Sequence, residues 1–450
     1  MAGKTIIKNI QIIHPDRRQV ADLLIDQDRI AQIGQGLVDA EARIIEGTGK
    51  YLLPGVIDGQ VHFREPGLTH KGDLTTESRA AVAGGVTSFI DMPNTVPNVL
   101  SIELLKEKYR LAAEKSMANF GFLLGVNAEN LEEVIRLDTS GLLGVTDDGL
   151  YFTQKGNLLA DNAAIMERLF SNCPALIAIH SEKEQIIEEW EAFYRSQYGE
   201  EVPAKCHPMI RSEEACVQAT LQAIALAEKY QSRLHILHLS TAAETAFFRN
   251  DRPLSQKRIT TEVSVHHLWF SDADYERLGN LIKWNPAIKT ERDRQGLLEA
   301  LLDDRIDLIT TDHAPHTLEE KRRPYFRSLS GAPMIQHSLS VLLELHHQGR
   351  IGLEKIVEKM CYNPSILYQI ADRGLVKEGY YADLVIVDLD APWTVQKENI
   401  LYKCGWSPLE GTTFKSRVTH TFVNGNLVFE NGQVFDQYRG RALEKIHTHS

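Results

Sequence analysis

The sequence predicts an α/β protein: a (β/α)8 TIM barrel carrying a small β-sandwich domain formed by the N- and C-terminal segments. Three observations predict it. Eight apolar runs of strand length recur between residues 55 and 311, and segments of helical periodicity lie between most of them. The two chain ends instead carry the short alternating runs of sheet strands.

From Thr5 the pattern is β-like, with Ile6, Ile7, Ile10, Ile12 and Ile13 followed by Leu23-Leu24-Ile25 and Ile30-Ala31-Gln32-Ile33-Gly34. Barrel strands are expected at Gly55 to Phe63, Val86 to Met92, Phe120 to Val126, Gly141 to Asp147, Ala175 to His180, Arg233 to Leu239, Ile259 to Val265 and Ile306 to Thr311. Apolar residues at i, i+3 and i+4 predict helices over Ser101 to Lys115, Ser212 to Lys229 and Glu291 to Asp303. After Gly379 the β style returns in Ala382 to Asp388 and in Val418 to Val428, where Asn424-Gly425 reads as a hairpin turn. The expected division is 1–53 plus 376–450 for the β-sandwich domain and 54–375 for the barrel.

A chain of 450 residues exceeds the size at which one core keeps growing, which agrees with two domains. The net charge of -12 argues against a nucleic-acid partner, because phosphate binding needs a basic face. No stretch approaches the roughly 20 apolar residues of a membrane span, and the first residues lack the apolar block of a signal peptide. The five cysteines are widely spaced with no C-x-x-C, as expected for reduced thiols in a cytoplasmic protein.

Active sites of such barrels lie at the C-terminal ends of the strands. Period-two alternation on the first strand places Asp58, Gln60, His62 and Arg64 on one face. Later strands end in Asp91-Met92-Pro93-Asn94, Thr146-Asp147-Asp148-Gly149, Ile179-His180-Ser181-Glu182, His235 to His238, and Thr311-Asp312-His313-Ala314-Pro315-His316. One histidine at a strand end is commonly a packing residue. Histidine or aspartate at equivalent depth on four strands instead suits zinc with an open coordination position, the arrangement of a metal-dependent hydrolase.

The runs Val61-His62-Phe63-Arg64-Glu65-Pro66-Gly67, Met92-Pro93-Asn94-Thr95, Asp147-Asp148-Gly149 and Thr311 to His316 resemble the class I dihydroorotases of the amidohydrolase superfamily. The resemblance runs over nearly the whole chain. It implies zinc-dependent, reversible opening of dihydroorotate to N-carbamoyl-aspartate in pyrimidine synthesis. It also implies metal ligands at His62, Asp148, His180, His238 and Asp312, with Asp148 rather than Asp147 bridging two ions. Asp312 would be the catalytic acid and base. Arg64, Asn94, Asn285 and His316 would bind substrate, and Thr317 to Ser330 reads as a mobile loop over the site. A homodimer is the family expectation.

Gln60 departs from the pattern, since it stands where the family has a histidine and an amide is a weaker zinc ligand. One or two zinc ions are therefore compatible with the sequence. Two other readings stay open: a related cyclic amidase such as allantoinase or dihydropyrimidinase, and a silent scaffold associated with aspartate transcarbamoylase. Gly331 to Gln336 matches the family's substrate contacts poorly.

Overall fold

The computed structural model describes residues 3–150 and 159–446. Five strands open the chain: β1 (Thr5–Ile13), β2 (Arg18–Asp26), β3 (Arg29–Gly34), β4 (Arg43–Glu46) and β5 (Tyr51–Pro54). The barrel segments follow as β6 (Val56–Val61), β7 (Val86–Asp91), β8 (Asn119–Phe122), β9 (Leu124–Gly125), β10 (Val145–Thr146), β11 (Leu176–Ile179), β12 (Arg233–Ile236), β13 (Ile259–Ser264) and β14 (Leu308–Thr310). Strands β15 (Leu384–Asp388), β16 (Trp393–Thr394), β17 (Thr413–Phe414), β18 (Arg417–Val423), β19 (Asn426–Glu430) and β20 (Gln433–Val434) complete the set.

Both chain ends meet in one nine-stranded sheet of order β20-β19-β18-β15-β5-β1-β2-β3, with β4 also pairing β1. β5 is the join, parallel to β1 and antiparallel to β15. Ile7, Ile10, Ile12, Leu23, Leu52 and Ile386 form this sheet's own core, whereas Ile13 and Leu53 pack into the barrel core. A register shift between Ile7 and Ile10, with Asn9 at φ 51°, interrupts the strict alternation along β1.

The barrel staves are parallel. β8 and β9 are one run broken at Leu123, so nine segments make eight staves, and a parallel bridge between Val61 and His313 closes β14 onto β6. Most ladders are shorter than the apolar runs suggest: some runs leave the pairing at their last residues, which carry the polar side chains, and others, such as the fourth, join it only after an irregular approach. The predicted helices form at Ile102–Lys115, Glu213–Tyr230 and Glu291–Leu302, capped by Ser101, Ser212 and Thr290.

One connection carries no signal in the sequence. Residues 440–446 leave the sheet and return to the barrel, where Arg441 O accepts from Phe120 N and Leu443 N donates to Phe120 O. The Leu443 side chain joins Ile90, Leu123, Leu143 and Leu176 in a cluster inside the barrel. The five cysteines are free thiols, and among the described residues no helix is long and apolar enough to cross a membrane.

Candidate active site

Three residues at the strand ends hold positive φ without being glycine: Arg64 at 68°, His238 at 35° and Asp312 at 45°. Such conformations strain an L-residue and persist only where the surroundings impose them. Here Arg64 and Asp312 come to line one cleft, and His238 faces Asp148, which lines it too.

Asp148, His180 and His238 converge there, all buried. His180 Nδ1 lies 3.0 Å from His238 Nε2, and Asp148 Oδ1 is 3.6 and 3.7 Å from these two nitrogens. A tetrahedral ion with bonds of about 2.1 Å spaces its ligand atoms by roughly 3.4 Å, so the triangle has the size of one face of a zinc site. Among the described residues this is the one group of three side chains that meets the geometry of a metal centre. His180 Nε2 donates to Glu182 Oε2 at 2.7 Å, and Arg211 Nη1 donates to the same oxygen. That bond leaves Nδ1 as the nitrogen aimed at the cluster.

The electrostatics call for positive charge at this point. Burial works to raise the Asp148 carboxyl, but hydrogen bonds from His180, His238 and His62 outweigh it and hold it well below its usual range. Burial likewise works to lower His180, yet Asp148 and Glu182 raise it on balance to about 9. A bound cation displaces such a proton. The donor set therefore fits a divalent metal in chemistry as well as in size.

The neighbouring half is built differently. His62 Nε2 lies 3.1 Å from Asp312 Oδ1 and 3.3 Å from Asp148 Oδ2, while Nδ1 meets Asn94 Oδ1 at 2.7 Å. Burial lowers the affinity of His62 for a proton, but the two aspartates more than compensate and bring it to about 9. Gln60 Nε2 donates to Asp148 Oδ2 at 3.1 Å, and Gln60 Oε1 is buried with no hydrogen-bond partner. Asp147 turns away, accepting from His180 N at 3.0 Å and Leu159 N at 2.8 Å, so of the aspartate pair Asp148 is the one in the cluster.

Arg64, Asn94 and Asn285 line the cleft with His62, Asp148 and Asp312. Arg64 is buried; its Nε donates to Pro315 O at 3.1 Å and its Nη2 lies 3.2 Å from His316 Nε2. His316 stands behind Arg64 and is not part of the cleft wall. Trp284, also lining the cleft, donates from Nε1 to Asp312 O and stacks on His266 with ring centroids 4.0 Å apart.

The segment Thr317 to Ser330, whose charge suggests a mobile loop, is tied down by two buried lysines. Lys321 Nζ donates to Lys283 O, Leu329 O and Gly331 O, and Lys283 Nζ donates to Tyr325 O and Ser328 O. The sequence reading assigns no role to Glu182 or Trp284. For Glu182 a signal existed, because period two places it on the same side as His180. For Trp284 nothing local marks a role, since the residues it meets, Asp312 and His266, lie on neighbouring elements.

A model of the amidohydrolase family matches residues 51–428. A protein named dihydroorotase from Wolbachia sp. subsp. Drosophila simulans (strain wRi) is 32% identical over 433 residues, covering 95% of this chain and 96% of that protein. Another of that name from Pyrococcus abyssi is 33% identical over 400 residues, 88% of each. Among solved structures, L-hydantoinase (dihydropyrimidinase) from Arthrobacter aurescens superposes with a TM-score of 0.90 at 26% identity, over 99% of this chain and 100% of that one. Dihydropyrimidinase from Brevibacillus agri NCHU1002, at 24% identity and a TM-score of 0.87, shares the fold over 98% of both chains. With a barrel whose strand ends gather two histidines and an aspartate at metal-binding distances, and with these likenesses over its length, the chain belongs to the amidohydrolase family and is a hydrolase.

Proposed function

We propose that this chain is a dihydroorotase, which reversibly hydrolyses the ring amide of dihydroorotate to N-carbamoyl-aspartate in pyrimidine synthesis. The observation that carries the choice is Arg64. It is a buried guanidinium lining the cleft, and among the described residues no carboxylate lies within ion-pair distance of it, although Asp312 and Asp91 attract it from further off. A planar fork of this kind matches a carboxylate, and a buried cation left unpaired is costly. Dihydroorotate brings that carboxylate; hydantoin and dihydropyrimidine rings do not. The relatives named dihydroorotase support the same choice.

In this reading Asp148, His180 and His238 hold one zinc ion, with His62 beside them and Gln60 replacing the histidine a second ion would need. Zinc bound there supplies Lewis acidity to the hydrolysis. Asp312 takes a proton from the attacking water and returns it to the departing ring nitrogen. Asn94 orients His62 and, with Asn285, forms the polar wall beside Arg64, while His316 stands behind Arg64. The protein acts in the cytoplasm as a homodimer.

The test is turnover of dihydroorotate, allantoin, hydantoin and dihydrouracil by zinc-loaded protein, with metal content measured in parallel. Dihydroorotate is expected to react, and Arg64→Gln to raise its KM by ten- to a hundredfold. The likeness to L-hydantoinase favours a second reading, and turnover of hydantoin with none of dihydroorotate would establish it. Gln60 motivates a third, a silent partner of aspartate transcarbamoylase. Full zinc loading, no conversion in either direction and tight association with the transcarbamoylase would be its signature.

A further inference from the structure

His316 presents a problem of proton supply that the surrounding residues resolve. A neutral imidazole carries one proton, and three neighbours compete to set where it sits. Ser330 O lies 2.9 Å from Nε2 and needs a donor. Arg64 Nη2 lies 3.2 Å from the same nitrogen and would need an acceptor there. One nitrogen cannot serve both. The decision falls to Nδ1, where Lys71 Nζ approaches to 3.1 Å. An ammonium only donates, so Nδ1 must accept and the proton must sit on Nε2, facing Ser330.

Lys71 is itself fixed. It is buried, and Glu320 Oε1 holds its ammonium at 3.0 Å. Glu320 is anchored in turn by the amide and hydroxyl of Thr317 through its other oxygen. From the opposite side Trp406 Nε1 donates to His316 O at 2.8 Å, which keeps the residue in register. With Nε2 protonated, Arg64 Nη2 finds no acceptor on the ring, and that part of the guanidinium stays open to a ligand in the cleft.

We infer that Lys71 is a positioning residue which fixes the tautomer of His316 and so keeps Arg64 available to an anionic group of the substrate. The inference rests on the proposed use of Arg64 for a carboxylate. Without Lys71 the ring proton can move to Nδ1, where Glu320 Oε2 stands 3.8 Å away, and Nε2 becomes an acceptor that ties up Arg64.

The experiment combines kinetics with a direct view of the tautomer. In Lys71→Met the KM for dihydroorotate is expected to rise about tenfold with kcat within about twofold, the size of one charge-assisted hydrogen bond. Lys71→Arg retains a donor and should stay near wild type. In 15N-histidine-labelled protein, the His316 signals, identified by their loss in His316→Asn, should show protonated Nε2 in wild type and protonated Nδ1 in Lys71→Met. An unchanged KM in Lys71→Met, or a proton on Nδ1 in wild type, would overturn the inference. The wild-type spectrum decides the matter even if the variant fails to fold. Absence of dihydroorotate turnover by wild type would remove the proposed function while leaving the tautomer measurement to judge Lys71.

Discussion

Glu182 shows how one side chain can govern a centre it does not enter. Its Oε2 accepts from His180 Nε2 and from Arg211, and this fixes which imidazole nitrogen faces the cluster. A glutamine there keeps the shape and loses the charge that makes the imidazole a better ligand. Glu182→Gln is expected to weaken zinc binding by about ten- to a hundredfold, measured by competition with a chelator; equal affinity in the two proteins would rule out the orienting role. In the proposed reaction Asp312 acts on the chemistry instead. Asp312→Asn retains size but not basicity, and turnover should fall by about 10²–10⁴ with zinc content unchanged. Loss of zinc along with activity would instead make Asp312 a ligand. The histidines and aspartates that gather in the cluster were legible in the sequence, because such residues at the ends of apolar runs are conspicuous. Lys71 and Trp406 were not, since each acts on a residue more than two hundred or about ninety positions away.

At the scale of elements, periodicity located all eight staves, yet it overestimated their paired length. The fourth shows why: Gly141 to Asp147 reads as a strand, but only Val145–Thr146 pairs with both neighbours. Hydrophobicity reports burial, and a buried irregular approach to a strand looks the same as a strand. The segment after β14 posed the opposite difficulty. Its charges suggest solvent, but Lys321 is fully buried and spends its donors on three carbonyls, including that of Gly331 in the cleft wall. Lys321→Met leaves those acceptors unsatisfied, on the order of 1–3 kcal/mol for a buried group. Amide exchange over residues 321–331 should therefore quicken while zinc content holds, and unchanged exchange would show that the lysine is not the anchor. Lys283 adds a pH signature. Burial, reinforced by Arg211, pulls its ammonium down to about 7. Between there and the ordinary lysine range near 10 the unfolded chain binds the extra proton, so stability rises with pH across that window. Compared with Lys283→Met, wild type should gain stability from pH 7 to 10 in denaturant titrations; parallel profiles would contradict the shift.

Across the whole molecule two parts of the C-terminal region act on the barrel from different directions. The stretch between β16 and β17 reaches the top, where Lys403 N donates to Glu77 Oε1 and the other oxygen of Glu77 meets His313 Nε2 at 2.9 Å. His313 O in turn accepts from His62 N, so the sheet's connecting loop is wired to the first strand of the site. The last described residues instead enter the barrel beside β8, at the seam where the staves divide into a three-stranded and a six-stranded sheet. Leu443 packs there with Leu143, and Gly121 makes room for Leu143: a Cβ at Gly121 would lie 2.3 Å from Leu143, whereas Leu443 would stand at an ordinary contact distance of 3.4 Å. The seam is thus closed by side-chain packing where the ladder hydrogen bonds are sparse. Leu443→Ala opens a cavity between β8 and β10, and large-to-small changes of this type cost about 2–5 kcal/mol. Thermal and denaturant midpoints should both fall. Because Asp148, His180 and His238 follow β10, β11 and β12, zinc affinity below the transition should remain within about twofold. A midpoint equal to wild type would mean that the C-terminal segment lies on the barrel without supporting it, whereas a parallel loss of zinc would mean that the seam and the site unfold as one unit.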